Sequence, residues 1–168
     1  MDDRRPTGAA FLLTQLGTHA ARRFAERVSA VDLTPPQSGL IRAVAGDPGR
    51  SQQALAAQLG TPATRLVALV DALEQRGVLE RRRNPDDRRL YAVHLTPAGE
   101  EVLADLGRLA AAHEADLLAP LDPDERRTLA ELLGRVATAE GLTPGVHPGY
   151  RDLPADDRGP QGAPPCGT

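Results

Sequence analysis

Apolar side chains recur along most of the chain at three- and four-residue intervals, the period of helices that bury one face. Residues Leu13, Leu16, Ala20, Phe24 and Val31 form one such stripe, and Val102, Leu106, Leu109, His113 and Leu117 follow a similar spacing. Four pairs mark helix starts: Thr34-Pro35, Thr61-Pro62, Thr96-Pro97 and Asp122-Pro123. In each, a side-chain oxygen can accept from the orphan N–H groups of a first turn, and Pro stands where its missing N–H does no harm. Thr34 with Gln37, and Asp122 with Glu125, also have the spacing of capping boxes. Gly46, Gly60, Gly77 and Gly141 fall where the periodic segments stop and are expected in left-handed caps. The pattern predicts helices at about 8–31, 35–46, 51–59, 62–76, 97–119 and 123–140.

Between residues 77 and 96 the period changes. Val78-Leu79, and then Leu90-Tyr91-Ala92-Val93-His94-Leu95, bracket Asn84-Pro85, which predicts a two-stranded hairpin. Arg81, Arg82, Arg83, Arg88 and Arg89 lie on or near its tip. Just before it, residues 51–76 read as a helix-turn-helix broken at Leu59-Gly60-Thr61-Pro62. Projection of the second helix places Leu66, Leu69, Val70 and Leu73 on one side. Thr64, Ala68 and Gln75 fall opposite, with Thr61 and Arg65 flanking them near the N-terminal end. A face of small and hydrogen-bonding residues with one Arg suits a major groove, where side chains near the helix N-terminus read base edges. Many helical hairpins share this pattern, and a solvated loop pairing its charges with Asp86 and Asp87 would account for the arginines taken alone.

Charge sharpens the picture. The 168-residue chain carries a net charge of −3, yet residues 61–94 hold seven Arg against five carboxylates and are locally +2. Arginines on a projecting loop can lie over phosphates or enter a narrow minor groove. All twenty basic residues are Arg, a bias with little bearing on function. The aromatics are only Phe11, Phe24, Tyr91 and Tyr150, so the core is aliphatic and suits helix packing. The lone Cys166 excludes an internal disulfide and a CxxC site. Four scattered His give no metal-ligand cluster, and no cofactor is expected. Neither a membrane span nor a signal-peptide pattern is visible, so a cytoplasmic protein is expected. No nucleophile stands with a base at meaningful spacing, and there is no phosphate-cradling loop, which argues against an enzyme.

The run Asp87-Arg88-Arg89-Leu90-Tyr91-Ala92-Val93-His94-Leu95-Thr96 resembles the wing signature D-x-R-x-x-x-V-x-L-T of the MarR family of winged-helix transcription factors. Thr64-Arg65, followed by Leu73 through Arg81, is similar to that family's recognition helix and its exit into the wing. The resemblance spans roughly residues 8–140 and implies a mainly α fold with a small β-hairpin. Residues 1–33 and 98–140 would form a helical dimerisation lobe, and residues 34–97 a winged helix-turn-helix. Residues 141–168, rich in Pro and Gly, lie largely outside the match and are expected to be disordered.

The implied function is that of a homodimeric, ligand-responsive regulator, most often a repressor, on a pseudo-palindromic site in double-stranded DNA. Thr61, Thr64, Arg65 and Ala68 would meet the major groove. Arg89, with Arg88 beside it, would approach the minor groove, Asp87 would brace Arg89, and Arg81 would support the wing. A small-molecule effector would lie between the lobe and the winged helix, with His19, Arg23 and His113 as candidate contacts. The alternative is a winged-helix dimer that sequesters a ligand or binds a protein without reading DNA.

Overall fold

A computed structural model describes residues 8–83 and 91–147. Its elements are α1 (Ala9–Ser29), α2 (Pro35–Gly46), α3 (Gln52–Leu59), α4 (Ala63–Gln75), β1 (Leu79–Arg83), β2 (Tyr91–Leu95), α5 (Pro97–Leu117) and α6 (Pro123–Ala139). Local chemistry sets most of these boundaries. The Thr34 and Asp122 capping boxes both form, with Thr34 accepting from Gln37 N and Asp122 from Asp124 N and Glu125 N. The Thr96 hydroxyl accepts from Gly99 N at 3.0 Å and starts α5. Ser51 does the same for α3, accepting from Ala54 N at 3.2 Å.

Two local expectations fail. Thr61 does not cap α4: Pro62 is the N-cap, its carbonyl accepts from Arg65 and Leu66, and the Thr61 hydroxyl oxygen is enclosed. The left-handed turn at Gly60 (φ 63°) carries the chain from α3 into α4 and leaves Thr61 turned inward. Gly60, Gly77 and Gly141 adopt the expected left-handed conformation, but Gly46 does not: it is the last helical residue of α2, and the chain leaves the helix through Asp47 (φ −149°, ψ 79°).

The core gathers Leu40, Ile41 and Val44 of α2, Leu55 of α3, Leu66, Val70 and Leu73 of α4, and Leu79 and Val93 of the hairpin. The long helices contribute little to it: Val28 is the buried side chain of α1, Leu106 that of α5, and α6 buries none. The α1–α2 connection bends at Asp32, whose φ of 55° lies in the left-handed region that Asp tolerates better than most residues. The Arg76 guanidinium, just past α4, donates to the Asp32 carbonyl and ties this bend to the helix-turn-helix.

The hairpin is antiparallel, with Leu79 opposite Leu95, Arg81 opposite Val93 and Arg83 opposite Tyr91. A third segment joins it that the hydropathy pattern does not reveal. Gly49 N donates to Val93 O, Val93 N donates to Arg50 O, and Ser51 bridges Ala92. The α2–α3 connection thus lies along the outer edge of β2 and fixes the hairpin beside the helix-turn-helix. On the other side, α5 starts hard against the exit from α4. A Cβ on Gly99 would sit 2.1 Å from Val78 O, so only glycine fits this approach.

Candidate functional site

The helix-turn-helix forms as expected, α4 burying Leu66, Leu69, Val70 and Leu73. Its outward face carries Thr64, Val67, Ala68 and Gln75, all exposed. Of the four residues expected at a major groove, Thr64 and Ala68 lie on this open face. Thr61 and Arg65 are half-buried and lie with Pro36, Leu59 and Leu69, the Arg65 Nη2 atom being enclosed. Val67 escaped the sequence reading because an aliphatic residue next to Leu66 is ordinarily assigned to the core. A strict 100° projection is the signal that could have found it, since it separates Val67 from the Leu66 side.

Arg81 is not at the hairpin tip. It lies at the middle of β1, where its guanidinium forks between the carboxylates of Asp71 and Glu74 on α4. Its backbone N–H donates to Glu74 Oε1 at 3.1 Å, so one residue joins the hairpin to the outward helix through both main chain and side chain. Burial acts to lower the Arg81 pKa, but the hydrogen bond to Asp71 and the charges of Glu74 and Asp71 outweigh it and hold the pKa above its ordinary value. Next along β1, Arg82 pairs with Glu80. Asp87, Arg88 and Arg89 lie outside the described residues, as does the Asn84-Pro85 turn.

A second concave site lies between α1, α2, α5 and the segment after α6. This cleft of about 610 Å³ has a largely apolar wall of Ala20, Ala21, Phe24 and Pro35, with Arg42, His113 and His147 as its polar members. The Phe24 ring carries the Arg42 guanidinium 5.7 Å from its centroid, and the His113 ring sits 5.7 Å away at a 58° tilt. Of the three candidate effector contacts, His113 lines the cleft. Arg23 lies 3.8 Å from Asp116 beside the Arg27–Asp116 pair, and His19 is exposed outside the lining. Arg42 and His147 were not foreseen, because nothing local to either residue signals that the fold carries it to Phe24.

His113 Nδ1 is enclosed and has no hydrogen-bond partner among the described residues. Burial, then Arg27 and Arg23, depress the His113 pKa below 6.5, and Asp116 opposes them only in part. The unfolded chain therefore binds more protons than the folded one between the depressed value and 6.5, so stability rises with pH across that window. Thermal melts of wild type and His113→Gln at about pH 7.5 and about pH 5.5 should show the wild type losing more on acidification. Parallel losses would contradict this.

Among the described residues no helix is long and apolar enough to cross a membrane. The sequence model of the MarR family matches residues 31–90. A transcriptional regulatory protein named for the hcr operon of Thauera aromatica is 35% identical over 126 residues, covering 74% of this chain and 76% of that protein. The transcriptional repressor CouR, solved bound to a 23-mer DNA duplex, is 34% identical with a TM-score of 0.68, covering 77% of this chain and 92% of its own. A mutant MarR from E. coli, solved in complex with operator DNA, is 26% identical with a TM-score of 0.64, covering 76% and 91%. The fold and these likenesses agree, and the chain belongs to the MarR family of winged-helix transcriptional regulators.

Proposed function

We propose that the protein is a homodimeric, ligand-responsive DNA-binding regulator that represses from a pseudo-palindromic operator in the cytoplasm. The observation that carries this reading is the Arg81 clamp: it fixes an arginine-rich hairpin to a helix whose outward face is open and small-sided. DNA in the complexes of CouR and MarR supports the same use here. Residues 34–97 would form the DNA-binding part. Residues 1–33 and 98–140 would form the dimerisation lobe, and residues 141–168 a tail with no part in DNA binding. Thr64 and Ala68 would enter the major groove, with Thr61 and Arg65 behind them orienting the helix entry. Arg88 and Arg89 would reach the minor groove beside it, Asp87 bracing Arg89.

The cleft between α1, α2 and α5 would take the effector. It lies where the long helices meet the first helix of the DNA-binding part, so a ligand there could favour one spacing of the two α4 helices over another. Two successive major grooves are about 34–36 Å apart, and a dimer held off that spacing would release its operator.

The wing is tested by salt. Arg89→Ala should weaken binding to operator and unrelated duplex alike, by about tenfold, because phosphate and minor-groove contacts add affinity with little sequence preference. The slope of log affinity against log salt should flatten by about 0.9 for each phosphate that is no longer neutralised, hence nearly 2 for a dimer. Fluorescence anisotropy at several salt concentrations reads both quantities. A folded dimeric Arg89→Ala variant with wild-type affinity and slope would overturn the wing assignment.

A further inference from the structure

The first two turns of α4 present no long hydrogen-bonding side chain outward. Thr64, Val67 and Ala68 are exposed there, Val67 at 41%. Arg65 is the residue of this stretch that could fork onto a guanine edge, and it leans back toward Pro36, Leu59 and Leu69. Asp71, next along the same face, is held by the Arg81 guanidinium. A single exposed aliphatic residue is ordinary. This one stands at the N-terminal half of the second helix of a helix-turn-helix, the part that enters a groove. At i, i+3 and i+4, Thr64, Val67 and Ala68 form one continuous patch of methyl groups.

A major groove offers such a patch one apolar feature, the C5-methyl group of thymine. Against a G·C pair the same methyls would strip water from base acceptors and donors and return no hydrogen bond. Building on the DNA-reading function proposed above, we propose that Val67, flanked by Thr64 and Ala68, recognises thymine through its C5-methyl group. Each half-site then carries a thymine opposite the start of α4 that is read by apolar contact.

The test uses the full chain and duplexes that it selects from a random library. Each thymine of the selected site is replaced in turn by deoxyuridine, which removes the methyl group and keeps the base pair. Wild type should lose about fourfold at one thymine per half-site, the worth of one buried methyl group. Val67→Ala, checked for fold by circular dichroism, should bind the thymine and deoxyuridine duplexes equally at that position. Indifference of the wild type to deoxyuridine at every position would overturn the inference, and so would an undiminished penalty in Val67→Ala. A chain that selects no duplex at all would bring down the DNA-reading function itself, and this inference with it.

Discussion

A chain carrying both Leu16→Asp and Val136→Asp should sediment as a 17.8 kDa monomer at micromolar concentration, and the wild type should run at twice that mass. It should also lose about 10²–10⁴-fold in operator affinity, the usual gain from linking two binding modules. The reason is the surface that the terminal helices leave open. Phe11, Leu13 and Leu16 of α1 and Leu132, Leu133 and Val136 of α6 are all exposed, Leu16 at 53% and Val136 at 50%. Among the described residues α6 buries no side chain, although it carries a strong apolar stripe. Patches of this kind on a soluble chain mark protein–protein contact surfaces. In a symmetric dimer each substitution acts twice, and an unpaired carboxylate buried in an apolar interface costs several kcal/mol. Because both side chains are exposed in the single chain, the variant should keep its helical circular dichroism. A stable dimer of the double variant would show that the interface lies elsewhere.

The second large effect belongs to Arg81→Ala. The Arg81 side chain is only 18% exposed, while Asp71 and Glu74 are 48% and 38% exposed. Removing the guanidinium leaves two carboxylates one turn apart on the same face of α4, but water can still reach both. The loss of folding stability should therefore be about 1–2 kcal/mol, less than the 3–5 kcal/mol of breaking a fully buried pair. Because the Arg81 pKa is raised, the stabilisation is fully present below the ordinary guanidinium value and lost only in strong alkali. The destabilisation should thus be constant across the neutral range. DNA binding should suffer more, by over about tenfold, since two freed carboxylates would face the phosphates and the hairpin would lose its tie to α4. Arg81→Lys should recover only part of either quantity, because an ammonium cannot fork between two carboxylates. Urea titration and anisotropy measure the two effects. Wild-type stability and affinity in Arg81→Ala would refute the clamp.

What could be read from the sequence divides along the range of the forces involved. Helix starts at Thr34, Thr96 and Asp122 were legible because a cap and its partner lie within three residues. Thr61 has the same dipeptide signature, but the Gly60 turn directs its hydroxyl inward, and the grammar misleads. Gly46 resembles a left-handed stop, but the chain leaves α2 through Asp47 toward the edge of β2. That excursion exists only because Val93 offers a main-chain partner some forty residues away, which no local pattern encodes.

The site shows the same division. The buried stripe of α4 was plain, and so were Thr64 and Ala68 opposite it. From the residues alone Arg81 is one more arginine of a basic run; the family resemblance implies that it supports the wing, but its partners, Asp71 and Glu74, are visible only in the fold. Arg42 was invisible as a cleft residue, because its position over Phe24 depends on how α1 packs on α2. The resemblance on residues 87–96 points to the family without any of this geometry, and two of the residues that carry it, Asp87 and Arg89, lie outside the described structure.

Sequencing of duplexes enriched by the purified full chain from a random library tests the central claim most directly. A dimer that places two α4 helices in successive major grooves should enrich a pseudo-palindrome whose half-site centres lie about 10–10.5 base pairs apart. Enrichment of a single unrepeated motif, or none above the input library, would contradict it.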